Sequence, residues 1–110
     1  MLKSKIHRAV ITDAELNYEG SIACDPEWLR AADLLPGEKV LVANLNNGVR
    51  FETYAITGQK GQIGLRGAVA RLGQIGDRVV IMAFGWMDDA EARSRKPAII
   101  YMDDGNCPHQ

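Results

Sequence analysis

The sequence predicts a small, mainly β fold of the kind in which many short strands close into a barrel. Short apolar runs recur between turn residues, and the clearest of them occupies residues 78–84. Asn46-Asn47-Gly48 separates two such runs and is typical of a β-hairpin, because these residues tolerate positive φ. Few segments carry a helical pattern, and 110 residues suffice for one core. We therefore expect residues 1–110 to form a single barrel domain.

The strands follow in chain order, starting with a segment in which Ile6, Val10 and Ile11 supply the apolar positions. A polar connection is predicted after it at residues 13–17, and a turn at residues 57–61. Residues 103–110 carry no pattern and are predicted to form a loose tail. The predicted strands comprise residues 3–12, 38–44, 49–56, 62–66, 78–84 and 97–102.

Two short helices are predicted from capping residues. Asp25 can accept hydrogen bonds from the first turn of a helix, Pro26 suits its first position, and Glu27 complements its positive end. This helix is expected to end before Pro36, since proline cannot continue it. A second helix is predicted near residues 87–92, with Asp88 as its cap. The residues expected to face the core from the first helix are Trp28, Leu29, Ala32 and Leu35.

The charge balance indicates a small-molecule partner. The chain has 13 basic and 14 acidic residues and a net charge of -1. No basic patch interleaved with aromatic residues is present, so nucleic acid is not expected as a partner. A membrane partner is not expected either, since no apolar run approaches the length of a membrane span.

The N-terminus and the cysteines predict a cytoplasmic protein. Met1-Leu2-Lys3 leads straight into a strand-like pattern without the apolar region of a signal peptide. Cys24 and Cys107 are far apart in sequence and have no metal-ligand spacing, so both are expected to be free thiols. Cys24 is expected in the core and Cys107 in the polar tail.

The Gly20-Ser21 bond follows Tyr18 and Glu19 at the head of a short apolar run. On its own, a Gly-Ser pair is most often an ordinary turn. It can also support self-cleavage, because a glycine carbonyl is easily approached by the serine hydroxyl. Rearrangement to an ester, elimination across Cα–Cβ of Ser21 and hydrolysis would convert the serine to a pyruvoyl group. Such a group supplies the electron sink that amino-acid decarboxylation requires.

The surrounding segments decide between these readings. Lys-Ser-Lys-Ile-His-Arg at residues 3–8, Asn-Asn-Gly-Val-Arg-Phe-Glu-Thr-Tyr at residues 46–54 and Gly-Ala-Val-Ala at residues 67–70 accompany the Gly-Ser pair. In this order and at these separations, they resemble the pyruvoyl-dependent aspartate 1-decarboxylases over residues 2–98. Members of this family are small bacterial enzymes that make β-alanine for pantothenate synthesis.

The resemblance implies a fold, an assembly and a cofactor. The fold is a double-psi β-barrel, assembled as a homotetramer with active sites between neighbouring subunits. Cleavage is expected between Gly20 and Ser21, and the covalent pyruvoyl group derived from Ser21 would form a Schiff base with L-aspartate. Neither pyridoxal phosphate nor a metal is expected, and the chain has no phosphate-binding loop.

The resemblance also assigns roles to individual residues. Tyr54 matches the proton donor, and Thr53 matches the threonine that polarises the Gly-Ser carbonyl during ester formation. Further matches contact the substrate, with Lys5 and Arg50 as cations for its carboxylates. The expected substrate-binding residues are Lys5, Arg50, Thr53, Gly67, Ala68 and Val69, and the expected pocket-lining residues are His7, Tyr18 and Arg66. On an ideal strand, Arg50, Thr53 and Tyr54 cannot all share one face.

Arg66 departs from the family, since relatives commonly have asparagine there. An added cation at the pocket wall could strengthen carboxylate binding, change the accepted acid or disturb maturation. One alternative function is therefore a pyruvoyl decarboxylase of another acidic amino acid. Another is a barrel that never cleaves and acts as a binding or structural protein. The joint presence of Gly20, Ser21, Thr53 and Tyr54 favours the enzyme, and the sequence leaves open whether cleavage needs a maturation factor.

Overall fold

The computed structural model describes residues 1–109 and has a nine-stranded mixed sheet as its body. The strands are β1 Leu2–Val10, β2 Asp13–Glu15, β3 Ser21–Cys24, β4 Lys39–Asn44, β5 Arg50–Thr57, β6 Ile63–Arg66, β7 Arg78–Phe84, β8 Ala98–Met102 and β9 Pro108–His109. Their order across the sheet is β2-β6-β3-β5-β4-β7-β1-β8-β9.

The sheet closes on itself because β1 runs almost directly into β2. β1 pairs with β7, whereas β2 pairs with β6 at the other end of the strand order. Thr12 joins the two strands, and its backbone N–H donates to the carbonyl of Ile63 at 2.8 Å. The amide of Ile63 in turn donates to Thr12 Oγ1 at 3.0 Å. The predicted fold class, a mainly β barrel with short helices, is confirmed.

The barrel contains both parallel and antiparallel strand pairs. β2 runs parallel to β6, and β3 runs parallel to β5. β6 also pairs with β3, in the antiparallel direction. Because parallel neighbours need a long crossover connection, α1 and β4 lie in the chain between β3 and β5.

The helices are short, and their caps are as predicted. α1 spans Pro26–Ala31 and α2 spans Asp89–Ser94, with Asp25 and Asp88 as N-caps whose carboxylates accept from Glu27 N and Glu91 N at 2.8 Å. A 3-10 turn covers Gly67–Arg71. Within residues 1–109, neither this turn nor any helix has the length and apolar character needed to cross a membrane.

The core contains aliphatic side chains from every long strand. Trp28, Leu29 and Cys24 are buried, as predicted. Burial, and to a smaller extent the charge of the nearby Asp25, raises the pKa of the Cys24 thiol to about 12. Leu35 is 70% exposed, so the prediction that it faces the core is wrong. The helix ends at Ala31, and Asp33 turns the chain away with a φ of 57°. The fully buried aliphatic residues are Ile6, Ile11, Ile22, Val40, Val42, Ile63, Leu65, Val79 and Ile81.

Two segments differ from the predictions. The polar connection predicted at residues 13–17 contains β2, whose residue Asp13 lies opposite Gly64. The tail predicted to be loose is held by a turn and a strand through residue 109, while Gln110 lies outside the described residues. Asn106 holds this turn, since its side chain accepts from Val10 N at 2.7 Å and donates to Val10 O at 3.2 Å.

Asn44 is the polar residue on which one end of the barrel depends. It is 2% exposed, and its amide nitrogen donates to Leu72 O at 3.2 Å and to Asp77 Oδ2 at 2.9 Å. Its side-chain oxygen accepts from Asn46 N at 2.9 Å. The hydrogen bond from Asn44, with one from Gln74 N, lowers the pKa of Asp77 despite a small opposing effect of burial.

We predict that Asn44→Ala lowers the free energy of unfolding by about 1–3 kcal/mol, because it leaves buried partners unsatisfied. Thermal unfolding followed by circular dichroism measures the effect. Asn47→Ala is the matched control, since the exposed Asn47 amide also donates to Leu72 O at 3.2 Å. Equal losses in the two variants would contradict the special role of the buried amide.

Candidate functional site

The loop that joins β2 to β3, residues 16–20, crosses the end of β6. β6 lies between β2 and β3 in the sheet. Arg66, its last residue, is opposite Glu15 on one side and opposite Ser21 on the other. The backbone on both sides of the β2–β3 loop is therefore fixed to the same residue.

Gly67 lets this loop pass close to the 3-10 turn. Its φ is +76°, and a Cβ on Gly67 would lie 2.7 Å from the Cα of Gly20. The same Cβ would lie 2.8 Å from Gly20 N and from Tyr18 O. Both the backbone conformation and the contact thus require glycine at this position.

Gly20 is a different kind of glycine. A Cβ there would meet only the carbonyl oxygen of Arg66, at the ordinary contact distance of 3.9 Å, and its φ is outside the left-handed region. Neither space nor backbone conformation therefore demands glycine at this position. What the missing Cβ provides is access to the Gly20 carbonyl.

Ser21 begins β3 and is 1% exposed. Its hydroxyl donates to the carbonyl of Glu19 at 3.4 Å, which is long for a bond between two oxygens. The hydroxyl is thus sheltered from solvent and held by one long hydrogen bond.

Arg66 is held by side chains that precede the Gly20–Ser21 bond in the chain. Its guanidinium forms an ion pair with Asp13, and its central carbon lies 5.5 Å from the centroid of the Tyr18 ring. The Arg66 side chain is 16% exposed. The Asp13 carboxylate also accepts from Gln62 Nε2 and Thr12 Oγ1, each at 3.0 Å. The positive charge of Arg66 is therefore already matched within the chain.

The environment of Asp13 favours its ionised form. Burial opposes ionisation, but it is outweighed by hydrogen bonds from Gln62, Arg66 and Thr12 and by the charge of Arg66, so the pKa of Asp13 lies below its usual value. The Asp13–Arg66 ion pair is consequently complete at neutral pH. Its contribution to stability would be lost only as the pH falls through the lowered pKa.

The outer face of β5 carries Arg50 and Tyr54. The register between β4 and β5 is unbroken from Ala43↔Arg50 to Lys39↔Tyr54, so no bulge changes the alternation. Arg50 and Tyr54 are exposed, whereas Thr53 points to the other face and is half-buried. The prediction that these three residues do not share one face is confirmed.

Ser21 and Tyr54 lie at equivalent positions of the neighbouring strands β3 and β5. β3 and β5 pair in parallel from Ile22↔Ala55 onward, and Ser21 and Tyr54 each lie one residue before this pair. Side chains at equivalent positions of adjacent strands project to the same face. Ser21, Tyr54 and Arg50 therefore share one side of the barrel wall.

Lys5 and His7 also point away from the core, but from β1. Their neighbour Ile6 is fully buried, so alternation turns Lys5 and His7 outward. The His7 ring packs edge-on against Tyr101 at 5.7 Å, and its Nδ1 is buried without a hydrogen-bond partner. Burial, then the charges of Lys5 and Arg8, lowers the pKa of His7.

The structure brings together one part of the predicted site and leaves another part distant. Tyr18, Gly20, Ser21, Arg66 and Gly67 form one cluster, and Ala68 and Val69 follow it in the 3-10 turn. Lys5 and His7 lie on β1, which β5, β4 and β7 separate from β3. Among residues 1–109, neither Lys5 nor Arg50 takes part in an ion pair. In the same range, no group of three or more His, Cys, Asp or Glu side chains is arranged to hold a metal.

Comparison with known proteins identifies the family. Residues 1–108 match the family model described as aspartate decarboxylase. The chain belongs to this family. The resemblance seen in the sequence is thus confirmed, and the aspartate decarboxylase match extends through the turn that follows β8.

Curated relatives of this aspartate decarboxylase family member span nearly the same length. An aspartate 1-decarboxylase of Thermoanaerobacter pseudethanolicus is 54% identical over 110 residues, covering 98% of this chain and 94% of the relative. Enzymes of the same name from Heliobacterium modesticaldum and Pelotomaculum thermopropionicum are 55% and 56% identical over 108 residues. Each of these alignments covers 96% of this chain and 82% of the relative.

Asp13 and Gln62 are the residues of the cluster that the sequence did not reveal. Asp13 forms an ion pair with Arg66, and Gln62 donates a hydrogen bond to Asp13. The pairing of β2 with β6 brings these residues together. The available signal was an acidic residue upstream of the Gly-Ser bond and an unexpected arginine downstream. Nothing in the short polar segment around Asp13 predicts a strand, so their proximity was not deducible.

We predict that Gly67→Ala destabilises the protein more than Gly48→Ala does. Both glycines have a φ of +76°, but nothing lies within 4 Å of a Cβ on Gly48. Each variant should lose about 1 kcal/mol or more from backbone strain. Gly67→Ala should lose at least about 1 kcal/mol more, because its methyl group overlaps the backbone of Gly20. Chemical denaturation measures both losses, and equal values would contradict the close contact.

Proposed function

We propose that this chain is a self-processing, pyruvoyl-dependent aspartate 1-decarboxylase that converts L-aspartate to β-alanine and carbon dioxide. The observation that carries the proposal is the match of residues 1–108 to the aspartate decarboxylase family. Relatives that share more than half of their aligned residues with the chain are named aspartate 1-decarboxylase. We place the reaction in the cytoplasm, where β-alanine would enter pantothenate synthesis.

Maturation uses the chain's own atoms. The Ser21 hydroxyl oxygen adds to the carbonyl carbon of Gly20, the peptide C–N bond breaks, and the hydroxyl proton ends on the freed amine of Ser21. Loss of the Cα proton of Ser21 then breaks its Cβ–O bond and releases Gly20 as a carboxylate. Water hydrolyses the resulting enamine, ammonia leaves, and a ketone remains at position 21. The absence of a Cβ at Gly20, which leaves the bond less shielded, and the long hydrogen bond of the Ser21 hydroxyl support this sequence of steps.

The surroundings of Ser21 fit a covalent pyruvoyl group. Position 21 is buried at the start of a strand, so a carbonyl formed there would be sheltered from bulk water. Such a group supplies an electron sink for the pair released when the α-carboxylate of the substrate leaves. The family resemblance assigns to Thr53 the donation to the oxyanion that develops on Gly20 during maturation, although its side chain lies on the other face of β5 from Tyr54. Tyr54, which lies at the position of β5 equivalent to Ser21 of β3, would return a proton to the substrate carbon.

Unpaired cations and backbone N–H donors would bind the dicarboxylic substrate. Arg50 offers a two-pronged guanidinium and Lys5 a flexible ammonium, and neither is neutralised by an acidic neighbour within the described chain. The 3-10 turn supplies further donors at Gly67, Ala68 and Val69, since no side chain caps its start. His7 and Tyr18 would line the pocket.

A homotetramer would complete the site. Lys5, His7, Arg50 and Tyr54 project outward from the barrel rather than into one enclosed cavity of a single chain. Residues on β1 and residues around Ser21 lie on separate parts of the sheet. A neighbouring subunit seated on the outer face would supply the missing wall, and a maturation factor could use the same exposed face.

The alternatives receive less support. A decarboxylase for another acidic amino acid was suggested by the extra charge of Arg66, but Asp13 already pairs with that charge. A barrel that never cleaves would have no structural need for glycine at position 20. The names of the relatives favour neither alternative.

We predict that the purified protein yields two fragments by intact mass under denaturing conditions. One fragment ends at Gly20, and the other begins with a pyruvoyl group, so that Edman degradation of the second is blocked. Ser21→Ala should give one uncleaved chain because it lacks the attacking hydroxyl. Cleavage of Ser21→Ala at the same bond would overturn the proposed chemistry. A wild-type chain that stays intact after prolonged warming would exclude cleavage without a partner protein.

We predict that Arg50→Gln raises the KM for L-aspartate at least about tenfold without preventing cleavage, since it removes a charge-assisted hydrogen bond to a carboxylate. Carbon dioxide release at varied aspartate concentrations gives the KM. Arg30→Gln is the control, because Arg30 is an exposed arginine on α1, outside the proposed site. A KM unchanged by Arg50→Gln would exclude Arg50 as a substrate ligand.

A further inference from the structure

We propose that Arg66, Asp13 and Tyr18 form a clamp that positions the β2–β3 loop for cleavage, an inference that rests on the proposed function. In this proposal, Arg66 and Asp13 are positioning residues for the Gly20–Ser21 bond. The clamp sets the geometry of the precursor and does not bind the carboxylates of the substrate.

The backbone establishes where the clamp acts. Glu15 and Ser21 are both paired with Arg66, from opposite sides of β6. Adjacent strands lie about 4.8 Å apart, so the loop between them must span about 10 Å across the end of β6. Its two ends are fixed by the sheet, but residues 16–20 themselves have no ladder partner.

The loop has little other support. Every residue from Ala14 to Gly20 is exposed, including Leu16 at 43% and Tyr18 at 58%. Its apolar side chains therefore contribute little burial. Apart from a local hydrogen bond from Asn17 N to Glu15 Oε1 at 3.2 Å, the loop is restrained by the backbone approach to Gly67 and by the Tyr18 ring beside the Arg66 guanidinium.

Arg66 connects β2 to the β2–β3 loop. One part of its guanidinium pairs with Asp13 on β2, while the planar group as a whole lies beside the Tyr18 ring in the loop. Arginine can combine a directional ion pair with stacking on an aromatic ring, whereas the ammonium of lysine retains mainly the charge. Asp13 is in turn fixed by Gln62 and Thr12.

This arrangement bears on the reaction because the attacking and attacked groups are consecutive residues. Ester formation requires the Ser21 hydroxyl and the Gly20 carbonyl to be held near their reacting geometry. Ser21 is fixed by β3, so the variable partner is Gly20 at the end of the exposed loop. Restraining Tyr18 and Gly20 against β6 raises the fraction of chains that can react.

The first measurement tests the clamp without cleavage. In the Ser21→Ala background, chymotrypsin cuts after Leu16 or Tyr18 report on loop opening, and intact mass identifies the fragments. We expect Arg66→Gln and Asp13→Asn each to speed these cuts about fivefold to tenfold, as loss of an ion pair and a cation–π contact would do. Arg78→Gln is the matched control, because the 20%-exposed Arg78 side chain pairs with Asp104 away from the loop. Unchanged cutting in both test variants would overturn the clamp.

The second measurement tests its consequence for processing. With Ser21 present, Arg66→Gln and Asp13→Asn should each slow cleavage about tenfold at a temperature where thermal melts show all variants folded. The double variant should be no slower than Arg66→Gln, since Arg66→Gln already removes the ion pair that Asp13→Asn removes. Arg66→Lys should restore part of the rate by keeping the charge opposite Asp13.

The outcomes separate the clamp from the proposed function. Normal cleavage in wild type, Arg66→Gln and Asp13→Asn would overturn the positioning role while the decarboxylase proposal stands. No cleavage in wild type would overturn unaided processing and the positioning role with it, and the chymotrypsin rates would still decide whether the clamp exists. A tenfold rise in the KM for aspartate in Arg66→Gln, with cleavage at the wild-type rate, would instead assign Arg66 to substrate binding.

Discussion

The site depends on one backbone constraint, the pairing of Arg66 with strands on both of its sides. Glu15 arrives from upstream and Ser21 leaves downstream, each hydrogen-bonded to the same strand end. The β2–β3 loop is consequently short, exposed and closed at both ends by regular structure. Because Gly67 directly follows Arg66, the chain also presents a residue without a Cβ where the loop passes closest. The backbone pairing therefore determines the position of the Gly20–Ser21 bond independently of side-chain contacts.

The cations of the proposed site fall into two classes with different surroundings. Arg66 is shielded and matched by Asp13, which suits a residue that fixes geometry. Lys5 and Arg50 lie on outward-facing strand positions without acidic partners, which suits groups that bind an anion. By charge alone, Arg66, Lys5 and Arg50 are equivalent. The pairing with Asp13 distinguishes Arg66 from the other two, because it leaves no free charge at position 66.

Much of the fold was predictable because its signals are local. Asp25 and Asp88 identified helix starts, Asn46-Asn47-Gly48 identified a hairpin, and the apolar run of β7 identified a central strand. The strand β2 was not predictable, since its residues are polar and its order comes from pairing with distant β6. The same long-range pairing explains why Asp13 was missed. The site residues around Gly20 were suggested by family resemblance rather than by pattern, and local alternation gave only the opposite faces of Arg50 and Thr53.

The central position of β1 gives a cut at residue 20 an unusual thermodynamic consequence. β1 lies between β7 and β8, so the small fragment would remain an internal part of the barrel. Before the cut, the chain folds in a unimolecular reaction. After it, the same barrel is a complex of two polypeptides whose reassembly depends on concentration, as for any obligate dimer. The barrel would thus form while the chain is still uncut. After maturation, its stability would depend on the two fragments staying associated.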